Sequence, residues 1–181
     1  MTFSWTAHRF AGGALALDVA NSVILRADPT RRTDRFAVSR QLDEFPEAAR
    51  QFCAERALFG DVAPPAPGDR AGFLQLREAI DRYFRWRAGR SEPPVSLLAD
   101  LLEAIASALR RAPDGSLEAA AAQSALRLLT EAESARLKIC GHCGWLFLDR
   151  SRNRSRAWCD MAVCGNRNKA SRHYRRKKES L

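Results

Sequence analysis

Long apolar runs are missing from this sequence. The best stretch, residues 11–25, is broken by Asp18 and Asn21, and it falls short of the roughly 20 clean apolar residues that a membrane span requires. No basic segment precedes it, so a secretory signal is not expected. Histidine is scarce, with 3 in 181 residues, and the three stand apart from one another. No G-x-G-x-x-G, P-loop, H-E-x-x-H or G-x-S-x-G occurs. A chain without a catalytic constellation is not expected to be an enzyme. Acidic residues are also few: 21 Asp and Glu stand against 30 Lys and Arg, a formal charge of +9. With 46% apolar residues and a mean hydropathy of −0.35, the expectation is a cytoplasmic globular protein, one medium domain or a domain with a small appendage.

The excess charge is unevenly placed. Residues 1–139 hold 19 basic and 18 acidic side chains, whereas residues 140–181 hold 11 basic and 3 acidic, a net +8 in the last quarter. Such a segment points to a polyanion partner, most often nucleic acid. The cysteines divide the same way. Cys53 lies alone in a helical pattern, while Cys140, Cys143, Cys159 and Cys164 form C-x2-C, a 15-residue gap and C-x4-C. That spacing is expected to hold one structural Zn2+ in tetrahedral coordination. Four thiolates leave no position open for a catalytic water, and a redox dithiol needs no second pair. His142 is expected to be a solvated knuckle residue.

Ahead of these cysteines the pattern is helical. Residues 10–25 read as a Gly-Gly turn, an apolar run and a helix capped by Asp18 and continuing to Leu25; residues 26–35 read as a loop. Residues 41–58 have helical periodicity, with Pro46 expected at the first turn of a second part, since deeper in a helix it would forfeit a hydrogen bond. Three amphipathic segments come next. They carry Phe73, Leu76, Ile80, Tyr83 and Phe84; then Leu98, Leu101, Leu102, Ile105 and Leu109 behind a Ser96 N-cap; then Leu117, Ala121, Ala125, Leu128 and Leu129. Trp5, Trp86 and Cys53 are expected to pack. The expected fold class is mainly α (α+β): a helical N-terminal domain with a short β element over residues 1–135, then a small treble-clef zinc finger of β-hairpin and C-terminal helix over residues 136–181.

In the finger, Gly144 supplies the positive φ of a C-x-x-C-G knuckle. Trp145 and Phe147 alternate with Leu146 and Leu148 as on a two-faced strand. Ala157, Trp158 and Cys159 are expected to return as the partner strand, and a helix to run from about Asn166 to Lys178. Zinc would stand in for the core that so short a segment cannot build. The segment CGWLFLDRSRNRSRAWCDMAVCGNRNKASRHYRRKK resembles the CGNR zinc finger, whose name is spelled by Cys164, Gly165, Asn166 and Arg167. Asn153-Arg154-Ser155-Arg156 and Trp158-Cys159 match as well. The minimal C-x2-C knuckle departs from the longer one of many members. In that family the finger comes after an ABATE domain, described as a stress-induced transcription regulator, and GGALALDVANS is similar to that domain's G-x-L-x-L-D-x-x-N-S/T start. The resemblance implies a small-molecule ligand pocket in the N-terminal domain, with Asp18 and Asn21 on its motif and Arg77 as a further candidate. Beside this stands a purely structural expectation for the three: a helix cap, a buried amide with its hydrogen bonds satisfied, and a surface arginine paired with Asp81.

Two basic clusters carry the expected nucleic-acid contacts. Arg150, Arg152, Arg154 and Arg156 come from the hairpin turn, with short polar side chains between them that suit phosphates. Asn166, Arg167, Lys169, Arg172, His173, Arg175 and Arg176 come from the helix, whose early turns a groove meets first. Asn166 and Arg167 have an equal structural expectation, as helix cap and as partner of Asp160 or Asp149. The expected partner is DNA, in a nucleoid-associated cytoplasmic protein. RNA is the alternative, carried by exposed Trp145 and Trp158; an enzyme anchored by its finger and a protein-interaction module are further readings. One finger covers few base pairs, so specific binding implies a homodimer.

Overall fold

A computed structural model describes residues 3–89, 92–130 and 135–170. Apolar side chains recurring every three to four residues draw the first two thirds of the chain into helices. These are α1 (Leu15–Ala20), α2 (Ser39–Phe52), α3 (Arg70–Ala88), α4 (Val95–Arg111) and α5 (Leu117–Thr130). α3 packs on α4, α4 on α5, and the short α1 lies against both α3 and α5. Every residue of α1 is buried. Around it Leu42, Phe45, Phe73, Leu76, Ile80, Phe84, Leu101, Leu117 and Leu128 close one core, each large side chain stabilising by about 1.5–3 kcal/mol when withdrawn from water.

Two short antiparallel hairpins complete the fold. β1 (Val23–Ile24) pairs with β2 (Thr33–Asp34), and β3 (Leu137–Ile139) with β4 (Leu146–Leu148), Leu137 opposite Leu148 and Ile139 opposite Leu146. The architecture is thus mainly helical, with a short β element near the start and a small cysteine-bearing finger at the C-terminal end.

Several elements differ in detail from their sequence expectation, each for a tertiary reason. α1 ends at Ala20 instead of Leu25, and Leu25 takes φ 52° to turn the chain into the hairpin. Asp18 lies inside α1 and caps nothing there; it reaches back to accept a hydrogen bond from the Gly12 amide at 2.9 Å. The free amides at the start of α1 are met from afar: Leu15 N–H donates to Glu55 Oε2 at 2.7 Å and Ala16 N–H to Ser124 Oγ at 2.9 Å. α2 begins at Ser39, ends at Phe52 and keeps Pro46 in its interior, where burial offsets the missing hydrogen bond. Pro94, not Ser96, precedes α4. Trp5 and Cys53 are packed, but Trp86 is 48% exposed on the outer face of α3, its indole donating to the Glu92 carbonyl.

Candidate metal centre and its basic surroundings

β4 is the strand on which the site is built. Leu146 and Leu148 point into the helical core, while Trp145 and Phe147 point the other way, into a second cluster with the four cysteines. The knuckle is the loop of the β3–β4 hairpin. Cys140 N–H donates to Trp145 O at 2.8 Å and Gly144 N–H to Cys140 O at 3.0 Å. Gly144 has φ 74°, a backbone that a side chain would strain. From α3, Arg85 pins this turn by donating to Gly144 O at 2.8 Å, itself held by Asp81.

The partner of β4 is therefore β3, on the near side of the knuckle, and not Ala157 to Cys159. That segment is irregular, and its backbone meets the knuckle through Ala157 O, which accepts from Gly141 N–H at 3.0 Å. Trp158 packs so close to Gly141 that a Cβ there would lie 2.9 Å from its ring. A π-helical turn, Met161–Gly165, leads into helical residues 166–170, and Asp160 caps that turn by accepting from the amides of Ala162 and Val163.

These elements bring Cys140, Cys143, Cys159 and Cys164 together, all buried, with their Sγ atoms within 4.8 Å of one another. Cys143 and Cys159 are 3.7 Å apart and Cys159 and Cys164 3.8 Å. A tetrahedron of Zn–S bonds near 2.3 Å has edges of about 3.8 Å. The donor set is thus sized and closed for one ion. The CGNR zinc finger family matches residues 136–177. With the cluster's geometry, that match makes the four cysteines the ligands of one structural Zn2+. No curated protein matches the chain. No helix among the described residues is long and apolar enough to cross a membrane.

The finger's two described carboxylates, Asp149 and Asp160, are both taken by neighbouring groups. Asp149 is fully buried, and accepts from Lys138 Nζ at 2.7 Å, from the Ser151 amide at 3.0 Å and hydroxyl at 2.5 Å, and from the Arg156 amide at 2.9 Å. Burial alone would raise its pKa, but these donors hold it well below the ordinary carboxylate range. Asp160 is joined by His8 Nδ1 at 2.9 Å, and the His8 ring stacks near Trp145 at 5.3 Å between centroids. Sequence offers no local signal for His8, which lies 152 residues from its partner.

Of the turn arginines, Arg150, Arg152 and Arg154 have exposed side chains. Arg156 is turned inward: its guanidinium lies 5.5 Å from the Phe147 ring and donates to the Cys159 carbonyl. Arg154 carries φ 48° at the turn. Asn166, Arg167 and Lys169 are exposed on the helical segment. Asn166 follows the π-helical turn and its Nδ2 donates to Ala162 O at 2.9 Å, while the N-cap is Asp160. Asp149 and Asp160 are taken by Lys138 and His8, so neither pairs with Arg167 among the described residues. Arg172, His173, Arg175 and Arg176 lie outside the described residues.

The three polar residues of the helical domain go to separate tasks. Asn21 joins the finger to the core: its Nδ2 donates to Leu146 O at 2.8 Å, and Leu146 N–H donates to its Oδ1 at 2.9 Å. Leu148 N–H donates to Gly12 O at 2.9 Å. Gly12 and Asn21 thereby fill the edge of β4 that faces away from β3. A Cβ on Gly12 would fall 2.7 Å from Asp18 Oδ1. Asp18 is buried with Oδ2 lacking a partner. Desolvation raises its pKa to about 8, with Glu55 adding repulsion, against lowering by Gly12 and Cys53. Arg77 is no surface residue. It is 3% exposed and forks onto Asp34 at 2.7 and 2.8 Å, with Ser22 Oγ at 3.2 Å. Burial would raise the Asp34 pKa, but Arg77 holds it lowered.

Proposed function

We propose that this protein is a DNA-binding transcription regulator in which a zinc-folded finger presents exposed cations to the duplex. The observation that carries the reading is the set Arg150, Arg152, Arg154, Asn166, Arg167 and Lys169, all exposed around one buried tetrathiolate site. Zinc fixes the backbone; the arginines and Lys169 neutralise phosphates. Arg172, His173, Arg175 and Arg176 extend the same basic surface in sequence. The N-terminal part, residues 1–135, belongs in this proposal to the ABATE type. Its proposed role is structural and regulatory, without catalysis. A ligand role for Asp18, Asn21 and Arg77 gains no support from the fold, which gives Asn21 and Arg77 protein partners and surrounds Asp18 with packed residues.

Single-stranded RNA is the weaker reading, because Trp145 is 4% exposed and offers no stacking platform. A homodimer remains part of the proposal for sequence-specific binding, and light scattering with and without duplex tests it. Gel-shift titration of duplex DNA at several salt concentrations tests the reading as a whole. If about six phosphates are neutralised, log K should fall against log salt with a slope of about −5. Absence of binding at low salt, or tighter binding to competing single-stranded RNA, would overturn it.

A further inference from the structure

Beside the zinc site lies an open cleft of about 420 Å³ between the finger and the start of the chain. Arg9, Arg31 and Arg35 line it from the N-terminal side, and Arg167 and His142 from the finger. None of its lining residues is acidic.

The arginines are assembled with unusual economy. The guanidinium carbons of Arg9 and Arg35 lie 4.4 and 4.3 Å from the centroid of one ring, Phe3, which packs edge-on against Trp5. A single aromatic side chain thus holds two like charges near each other by cation–π attraction. Neither arginine has a carboxylate partner among the described residues, and Arg35 Nε is buried without a hydrogen bond. Nearby acids are committed elsewhere: Asp160 to His8 and to the helical turn, Asp28 to Thr30, with Arg31 only loosely alongside at 3.8 Å. Desolvation, and then repulsion from Arg35 and Arg167, lowers the Arg9 pKa. Zinc with four thiolates carries two formal negative charges, which the four arginines outnumber. Positive charge gathered at a cost in self-repulsion is offset when an anion arrives.

We propose that this cleft is a phosphodiester-binding site, and that the nucleic-acid backbone bound by the finger passes through it, held by Arg9, Arg31 and Arg35 as well as by Arg167. The inference rests on the DNA-binding reading above and extends it. The interface is shared between the two parts of the chain, and the N-terminal part touches the ligand of the finger directly.

Fluorescence anisotropy with the zinc-loaded full chain and a labelled short duplex tests this at several salt concentrations. The double variant R9A/R35A is expected to bind about tenfold or more weakly and to lose about two units of salt slope, and R31A about one unit. R9K/R35K should keep most of the affinity. R40A removes an exposed arginine from α2, outside the cleft, and should bind as the wild type. Melting temperature and zinc content are read for each variant. Because R31A alters only an exposed side chain, it keeps the test open if R9A/R35A fails to fold. Wild-type affinity and slope in R31A and in folded R9A/R35A would overturn the cleft proposal and leave the DNA-binding reading intact. So would loss of zinc from R9A/R35A, which would assign the arginines to balancing the tetrathiolate. Failure of the wild type to bind duplex would overturn both.

Discussion

Asn21 does with one side-chain amide what a neighbouring strand does with its backbone, giving a donor and an acceptor to the same residue of β4. Replacing it by Ala leaves the Leu146 N–H and C=O buried and unpaired, and should cost about 2–4 kcal/mol, read by urea unfolding. A cost under about 0.5 kcal/mol would mean that water takes its place. Asp18 makes a prediction of another kind. Its folded pKa of about 8 lies far above its unfolded value, so between about pH 4 and pH 8 the folded chain holds a proton that the unfolded chain has lost. Stability from this group is full below pH 4 and falls as pH rises through 8. Asp18→Asn keeps the acceptor for Gly12 and cannot ionise, so its stability should be flatter across that window; an unchanged pH profile would show that Asp18 is ionised in the fold. Arg77→Lys cannot fork onto Asp34, and should cost about 1–2 kcal/mol in the same unfolding assay.

At the scale of elements, β4 belongs to two cores at once, and its alternation was plain in the sequence as two faces. The cysteine spacing and the three amphipathic helices were plain too, because each is written in local periodicity. What local periodicity cannot show is pairing. β3 rather than residues 157–159 became the partner of β4, since the knuckle itself makes the tighter turn. α1 starts on a carboxylate from Glu55 and a hydroxyl from Ser124, 40 and 108 residues away, so its boundaries obeyed no nearby cap. Arg77 read as a surface residue because a helical pattern places it next to Asp81, four residues on; only the fold brings Asp34 over it. A strand shared by two cores also couples metal to helices. Chelation of zinc, or Cys159→Ser, should lower the melting temperature of the whole chain by about 10 °C or more. Near-UV circular dichroism should change with it, as Trp145 loses its packing. Melting of the helices at an unchanged temperature would show that the two cores are independent.

Across the whole molecule, the residues that join the finger to the helices lie far apart in the chain: Gly12 and Asn21 on one edge of β4, Arg85 at the knuckle, His8 on Asp160. On the proposed function, the finger's cations would meet DNA from a single body in which the first residues and the finger stand side by side. The filled edge of β4 has a consequence for anyone who cuts this chain. A fragment of residues 136–181 would carry Leu146 and Leu148 into water with the Leu146 amide and carbonyl and the Leu148 amide free on one side. An open apolar strand edge is a template for another copy of itself. Even loaded with zinc, the severed finger should pair edge to edge and sediment as dimers or larger assemblies, whereas the intact chain keeps that edge closed with a glycine carbonyl and one asparagine.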